Sequence, residues 1–220
     1  MNGTEETKTK RGPNLPDRFM LRLFDVRRSV DGVEILCFRK EELQRVAEAL
    51  RMIATCDPLR YARLPREIDR IIVRVLDSSR AQYSTRFMAC ELDTRFVQAE
   101  TTSIVDLASA ITHEATHGRL EKIGIKYREE QRPKIEAVCL RRELAFLRKV
   151  PEGSEKRCDE IERTLANMPS LTDESFEQRW RDGAGEALAY VGVPRLLIKP
   201  IKSLALASRR LGRRLHRRRQ

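Results

Sequence analysis

The chain has 220 residues, of which 40% are hydrophobic and 35% are charged. This balance is typical of a soluble globular domain with a well-solvated surface. Aromatic residues make up 5% of the chain, which argues against a base-stacking platform of the single-strand-binding type. The five cysteines are odd in number, and no two form a Cys-x-x-Cys pair. The sequence therefore indicates neither a disulfide framework nor a thiolate zinc knuckle, and it favours a cytoplasmic compartment.

The net charge of +11 belongs almost entirely to the C-terminal tail, residues 190–220. This tail contains ten basic residues and no acidic residue, so subtracting its charge from +11 leaves +1 for residues 1–189. Leucine and isoleucine are mixed with the basic residues, which predicts either a basic amphipathic segment or a disordered, solubilising terminus. In the first case, residues 195–220 would contact an anionic membrane surface or nucleic-acid phosphates.

Three regions are predicted along the chain. Residues 1–16 are short of large apolar side chains and are expected to form a disordered lead, ahead of a folded domain over residues 17–189 and the tail. The polar first residues do not have the apolar run of a signal peptide. No run of about 18 uncharged apolar residues occurs, so no membrane span is expected.

The first half of the folded domain has strand patterns on either side of one helix. Residues 19–38 alternate apolar and polar side chains around Asp31-Gly32, which predicts a hairpin. Residues 39–54 have apolar positions at the helical period, so an amphipathic helix is expected to end before Asp57. A strand is predicted within residues 69–78, with one or two more within residues 83–100.

The second half is predicted to be helical. Pro133 fits the first turn of one helix, and another is expected over residues 154–168. Residues 173–193 look helical in part, with breaks at Gly183 and Gly185. The order of elements predicts an α+β fold, with a small, mostly antiparallel sheet followed by several helices.

The stretch ITHEATHG (residues 111–118) lies in a predicted helix that starts at the N-cap Ser103 and ends at Gly118 or Gly124. His113 and His117 are four residues apart, so one face of this helix can present both imidazoles to one metal ion. Glu114 is rotated by about 100° from His113, which leaves it beside such an ion rather than bound to it. That position suits a general base acting on a metal-bound water, as in His-Glu-x-x-His metalloproteases.

A catalytic zinc site commonly has three protein ligands, so a third must be found. His216 lies among the arginines of the tail and is unsuitable, which leaves a carboxylate. Glu136 is the best candidate because it lies 19 residues after His117, near the start of the next predicted helix. Glu129 and Glu130 are weaker candidates, since they fall in the loop before that helix.

Two further residues on the same predicted helix bear on the site. Glu143 lies seven residues after Glu136 and shares its face, so it could accept a hydrogen bond from a ligand histidine. Cys139 also neighbours Glu136, but buried structural cysteines are commoner than cysteine ligands, and Cys139 is interpreted as part of the core.

HEATH followed by IEAVCLRRE resembles the gluzincin group of zinc metallopeptidases, the thermolysin-like branch of the zincins. The resemblance implies a zincin-like domain that holds Zn²⁺ through His113, His117 and Glu136. It also implies that Glu114 is the general base and that the substrate is a peptide or protein. An edge strand that pairs with extended substrate would fall in residues 87–97.

The sequence departs from the gluzincin pattern at two positions. Arg119 stands where these motifs usually have an apolar residue, and Leu140 replaces an acidic residue four positions after the ligand glutamate. The group that would stabilise the oxyanion is open, with Tyr127 and Arg132 as candidates.

The function predicted from these residues is zinc-dependent hydrolysis of peptide bonds. The alternative is a zincin-like binding module without catalysis, which the basic tail would recruit to nucleic acid or to an anionic membrane surface. Both readings place the protein in the cytoplasm, and a membrane-bound tail would place it at the periphery of a membrane.

Overall fold

A computed structural model describes residues 21–168 and 171–204 of the chain. The predicted disordered lead over residues 1–16 and the arginine-rich end of the tail, residues 205–220, lie outside the described residues. Within the described ranges, no helix has both the length and the hydropathy needed to cross a membrane.

Five strands form one sheet in the order β1-β2-β3-β5-β4. The strands are β1 (Val26–Val30), β2 (Val33–Cys37), β3 (Arg70–Arg74), β4 (Ala81–Ser84) and β5 (Ala89–Asp93). The pairs β1/β2 and β4/β5 are antiparallel, whereas β2/β3 and β3/β5 are parallel.

Three helices lie between β2 and β3, and the second half of the chain is mostly helical. The helices are α1 (Lys40–Cys56), α2 (Pro58–Tyr61), α3 (Leu64–Glu67), α4 (Thr94–Gln98), α5 (Ile104–Lys122), α6 (Arg132–Leu147), α7 (Glu155–Ala166) and α8 (Asp173–Tyr190). A 3-10 turn, Glu129–Gln131, precedes α6, and residues 195–204 are also helical. The predicted α+β class, a sheet followed by several helices, is confirmed.

The sheet is mixed, so the finer expectation of a mostly antiparallel sheet is wrong. The predicted hairpin is present, and its turn places Asp31 (φ 47°) and Gly32 (φ 86°) in the left-handed region. The chain then passes through α1, α2 and α3 before it re-enters the sheet as β3. Such a helical crossover brings the next strand in parallel to the previous one.

The core lies between one face of the sheet and the helices. Successive side chains of a strand point to opposite faces, and on β3 the helix-facing residues are Ile71 and Val73. They belong to a large buried cluster with residues of α1, α5 and α6. Ile72 points to the other face, where a smaller cluster is completed by Leu21 and Phe87.

Helix α5, which contains the HEATH motif, has well-defined ends. The side chain of its N-cap Ser103 accepts a hydrogen bond from the Asp106 amide, and Asp106 accepts one from the Ser103 amide. The predicted capping box is therefore confirmed. Of the two glycines proposed to end the helix, Gly118 lies inside it, and Gly124 follows its end with φ 90°.

Helix α8 continues through both glycines that were expected to break it, so that expectation is wrong. A Cβ atom on Gly183 would lie 2.0 Å from the carbonyl oxygen of Asp77, in the loop after β3. Gly183 thus lets the helix approach this backbone closely, which is a packing role rather than an interruption.

The substrate-pairing edge strand expected in residues 87–97 is also not where the gluzincin resemblance put it. β5 occupies residues 89–93 but lies between β3 and β4 inside the sheet, and α4 follows it directly. The edge strand on this side is β4, which contacts α5. Sequence patterns identify strands but not their order in the sheet, which depends on the chain's path.

Candidate metal centre

The candidate centre lies between α5 and α6, which pack against each other in antiparallel orientation. Ser109, one turn before the motif, contacts Glu143 near the end of α6, whereas His117 contacts Glu136 near its start. The sequence supports this pairing because both helices carry apolar residues toward the common core, among them Ile111, Ala115 and Leu144.

Three of the predicted ligands converge in the structure. The Nε2 atoms of His113 and His117 are 3.3 Å apart. The Glu136 carboxylate lies 3.3 Å from Nε2 of His113 through Oε2 and 3.4 Å from Nε2 of His117 through Oε1. All three side chains are at least 80% buried, so they form a compact donor cluster at the edge of the core.

The spacing of these donors fits a zinc ion. Two ligand atoms bound at about 2.0–2.1 Å to a tetrahedral zinc are about 3.3–3.4 Å apart. The two imidazole nitrogens are 3.3 Å apart, and each lies 3.3 or 3.4 Å from a different oxygen of the Glu136 carboxylate, so each separation falls in this range. Two imidazoles and one carboxylate are also a common ligand set of catalytic zinc.

Glu143 fixes the orientation of His113. Its Oε2 lies 2.9 Å from Nδ1 of His113, and its other oxygen accepts hydrogen bonds from Ser109 and from Nε of Arg157 (2.9 Å). Burial raises the pKa of Glu143, but the bond with His113 and the charge of Arg157 outweigh burial and lower it below its usual range. An ionised Glu143 accepts the hydrogen bond of Nδ1 and so directs Nε2 of His113 toward the donor cluster.

The side chains of the donor cluster change one another's pKa values. Burial lowers the pKa of His113, but hydrogen bonds with Glu136 and Glu143 outweigh it and raise the value to about 10. Burial raises the pKa of Glu136, yet the two imidazoles lower it well below its usual range. Protonated His113 and ionised Glu136 thus stabilise each other's charged forms.

Glu114 lies next to the donors and is buried, with 7% of its surface exposed. Burial raises the pKa of its carboxyl group above the ordinary value. His113 and His117 act in the opposite direction without cancelling this effect, and Glu136 adds to it. A carboxyl group with a raised pKa can hold a proton between two transfer steps.

Tyr127 is the oxyanion candidate that the structure brings to the donor cluster. Its hydroxyl donates a 2.5 Å hydrogen bond to Oε1 of Glu136, and its ring meets the ring of His117 edge-on, with centroids 5.4 Å apart. Burial and the neighbouring Glu136 raise the pKa of the phenol, so it remains a proton donor.

Arg132, the other oxyanion candidate, directs its guanidinium toward α8. It donates to the carbonyl oxygen of Leu171 (3.0 Å) and to Oδ1 of Asp173 (2.7 Å), and its charge lies 5.5 Å from the centre of the Tyr127 ring. The structure thus brings Arg132 near Tyr127 but not onto the imidazoles. The weaker ligand candidates Glu129 and Glu130 are exposed in the 3-10 turn before α6.

Cys139, which is predicted from the sequence to belong to the core, is buried as expected and also lies beside the two imidazoles. One candidate ligand atom from each of His113, His117 and Cys139 lies within 4.8 Å of the other two. The thiol is fully buried, and burial together with the carboxylates of Glu136 and Glu114 raises its pKa. The sequence spacing indicates this proximity, because Cys139 follows Glu136 by three residues and so lies on the same face of the helix.

The sequence did not indicate Arg157, whose guanidinium binds the carboxylate of Glu143. It lies on α7, 14 residues beyond its partner, and no sequence spacing links the two helices. Arg119, which departs from the gluzincin pattern, points instead toward the buried carboxylate of Glu67 on α3, at 4.0 Å.

No protein-family model, curated protein or solved structure matches this chain. The gluzincin resemblance therefore rests on the HEATH motif and on the distances around it. Function has to be argued from the side chains of α5 and α6 themselves.

Proposed function

We propose that this protein is a zinc-dependent metallopeptidase of gluzincin type. The observation that carries the proposal is the convergence of His113, His117 and Glu136 at donor separations that fit a tetrahedral zinc. Three protein ligands leave one coordination position open, which is the condition for catalysis rather than a purely structural role. Glu114 lies beside this set on the same helix.

The chemistry follows from the placement of Glu114. If His113, His117 and Glu136 held zinc, the ion would lower the pKa of a bound water to about 7 and polarise a substrate carbonyl. The Glu114 carboxylate accepts the proton of the attacking water and donates it to the nitrogen of the leaving amine. Glu143 keeps the proton of His113 on Nδ1 throughout, because the charged hydrogen bond at 2.9 Å fixes the imidazole ring.

The oxyanion role is assigned to Tyr127 rather than to Arg132. The hydroxyl of Tyr127 lies at the carboxylate of Glu136 and close to His117, where a substrate carbonyl would also have to lie. The N–H groups of Arg132 that face Leu171 and Asp173 are already used. The guanidinium of Arg132 instead makes a cation–π contact with the ring of Tyr127.

The compartment proposed for this reaction is the cytoplasm. The five cysteines are all unpaired in the structure, and unpaired cysteines are typical of a reducing environment. The proposed substrate is a peptide or protein, taken in an extended conformation along β4 at the edge of the sheet.

Metal analysis and a peptide-cleavage assay test the proposal together. Purified wild type should hold one zinc per chain, and His113→Ala should lose it. Glu114→Gln should keep the zinc but lower kcat by about 10²–10⁴-fold, the usual contribution of a general base. Glu100→Gln, which changes an exposed glutamate, is the matched control and should leave both unchanged.

Two outcomes would overturn this assignment. A folded wild type without stoichiometric zinc removes the metal site. A zinc-loaded wild type that cleaves nothing in a broad peptide library leaves the other function open, a zincin-like binding module that the basic tail recruits.

A further inference from the structure

A cysteine lies beside the proposed zinc ligands, and its place suggests a fourth one. Cys139 contributes a ligand atom within 4.8 Å of those of His113 and His117, and Glu136 lies one helical turn before it on α6. We propose that Cys139 binds the metal as a fourth protein ligand, so that the centre has a closed form and an open form. This inference rests on the proposed metal site and adds a regulation of it.

The ligand chemistry supports this reading over a purely structural cysteine. Zinc accepts thiolate, imidazole and carboxylate ligands together, and its affinity for thiolate sulfur is high. A fully buried thiol on the face of α6 that carries a zinc ligand is already desolvated and ordered, so its binding requires little loss of conformational entropy.

Binding of Cys139 would change whether a coordination position stays open for water. Four protein ligands are typical of a structural zinc site, whereas three protein ligands and one water are typical of a catalytic site. With Cys139 bound, the water that Glu114 would deprotonate has no place on the metal. Release of Cys139 opens that place, and the thiol takes up one proton as the water binds. The cysteine thus makes part of the peptidase latent, and wild type cleaves peptides through its open form.

X-ray absorption spectroscopy of the zinc-loaded full-length protein tests the ligand directly. We expect one sulfur scatterer at about 2.3 Å in addition to nitrogen and oxygen scatterers at about 2.0–2.1 Å. Cys139→Ser should keep one zinc per chain through the other three ligands and lose the sulfur scatterer. Cys158→Ser on α7 is the matched control and should keep it.

The outcomes separate this inference from the proposed function. A bound zinc surrounded only by nitrogen and oxygen in wild type overturns the role of Cys139 and leaves the three-ligand site standing. Absence of bound zinc overturns the proposed function itself. As a second readout, Cys139→Ser should cleave peptides faster than wild type at equal zinc content. An equal or lower rate overturns the latency.

A second surface carries an inference of its own, independent of the metal centre. The helical residues 195–204 contact α8 through Lys202, whose Nζ donates to the carbonyl oxygen of Arg181. Leu197, Ile201 and Leu204 lie on one stripe of this helix at positions i, i+4 and i+7, and 50%, 38% and 72% of their surfaces are exposed.

Charge complementarity identifies the partner of this apolar stripe. Residues 190–220 contain ten basic residues and no acidic one. We propose that the stripe and the basic residues of the tail bind an anionic membrane surface, with the leucines entering the interface and the positive charges attracted to the lipid headgroups. Binding to nucleic-acid phosphates would use the cations but would leave the exposed leucines without a role.

Vesicle flotation of the full chain tests this surface. We expect binding to phosphatidylcholine vesicles that contain phosphatidylserine and little binding to phosphatidylcholine alone. The double variant Leu197→Ser/Leu204→Ser should bind about tenfold more weakly, because two apolar side chains no longer enter the interface. Leu59→Ser, an equally exposed leucine on α2, is the matched control and should bind as wild type does.

Three results would contradict the membrane proposal. They are equal binding to both kinds of vesicle, equal binding of the double variant and wild type, and retention on duplex DNA without retention on anionic vesicles. The last result would assign the tail to nucleic acid instead.

Discussion

At the scale of single residues, His113 is held from both sides of its ring. Nδ1 faces the buried carboxylate of Glu143, and Nε2 faces Glu136 and His117. This is the arrangement in which a carboxylate orients a metal-binding imidazole and increases its basicity. The site therefore depends on residues that would never touch the metal.

Replacing Glu143 tests that dependence. Glu143→Gln keeps the shape of the side chain but removes the charge, so it should lower zinc affinity about 10–100-fold. Competition with a chromophoric chelator measures this change. Glu160→Gln, which removes the other carboxylate bound by Arg157, should leave the affinity as it is. An unchanged affinity in a folded Glu143→Gln variant would show that His113 does not need this contact.

Tyr127 gives a second prediction at the same scale. Tyr127→Phe removes a hydrogen bond to Glu136, which should lower zinc affinity by only about fivefold, equivalent to about 1 kcal/mol. Loss of an oxyanion donor should lower kcat by about 10²–10³-fold when measured at saturating zinc. If zinc affinity falls while kcat at saturation does not, Tyr127 positions the ligand and does not stabilise the oxyanion.

At the scale of elements, α8 supports the centre from outside. Its first residues bind Arg132, and Phe176 meets the ring of Tyr127 at right angles. The middle of the helix approaches the loop after β3 at Gly183. The position of α8 therefore links the sheet to the side chains around the metal ligands.

Two glycines on α8 make a matched pair of stability variants. Gly183→Ala places a methyl group 2.0 Å from the Asp77 carbonyl oxygen, so it should lower the free energy of unfolding by about 1–3 kcal/mol. Gly185→Ala meets its nearest neighbour, Nζ of Lys202, at 3.6 Å and should be neutral or stabilising by up to about 1 kcal/mol. Urea denaturation compares them, and equal stabilities of the two variants would mean that α8 does not approach the loop.

At the scale of the whole molecule, the proposed metal centre lies between two helices, α5 and α6, that pack on the sheet side of the core. α5 packs on α1 and the sheet, while α6 adds Leu140, Leu144 and Phe146 to the same core. A ligand that binds only the folded state stabilises that state by an amount that grows with the logarithm of its concentration relative to its dissociation constant. Zinc should therefore stabilise the fold as a whole and not only the site.

Thermal unfolding measures this linkage. Free zinc at 100 times its dissociation constant should add about 2.7 kcal/mol to the free energy of unfolding, and a chelator should remove this increment. His117→Ala should unfold at the same temperature with and without zinc, because the ligand set is incomplete. If the unfolding temperature of wild type changes neither with added zinc nor with added chelator, no metal binds the folded chain.

The elements that sequence predicted well are those with local signals. The hairpin at Asp31-Gly32, the capping box at Ser103 and the helix that begins near Pro133 each depend on residues a few positions apart. Three features differ from the predictions: the sheet is mixed, β5 lies inside it, and α8 continues through Gly183. They depend on contacts between segments far apart in the chain, which no local pattern encodes.

The sequence by itself determined the faces of two helices. The spacing of His113, Glu114 and His117 on α5, and of Glu136, Cys139 and Glu143 on α6, follows from the period of the α-helix. Only the tertiary structure decided how these faces meet, with Tyr127 on Glu136, Arg157 on Glu143 and the thiol of Cys139 beside the imidazoles. The physical reason is that helical geometry is set by neighbouring residues, whereas the antiparallel packing of α5 on α6 is set by the whole core.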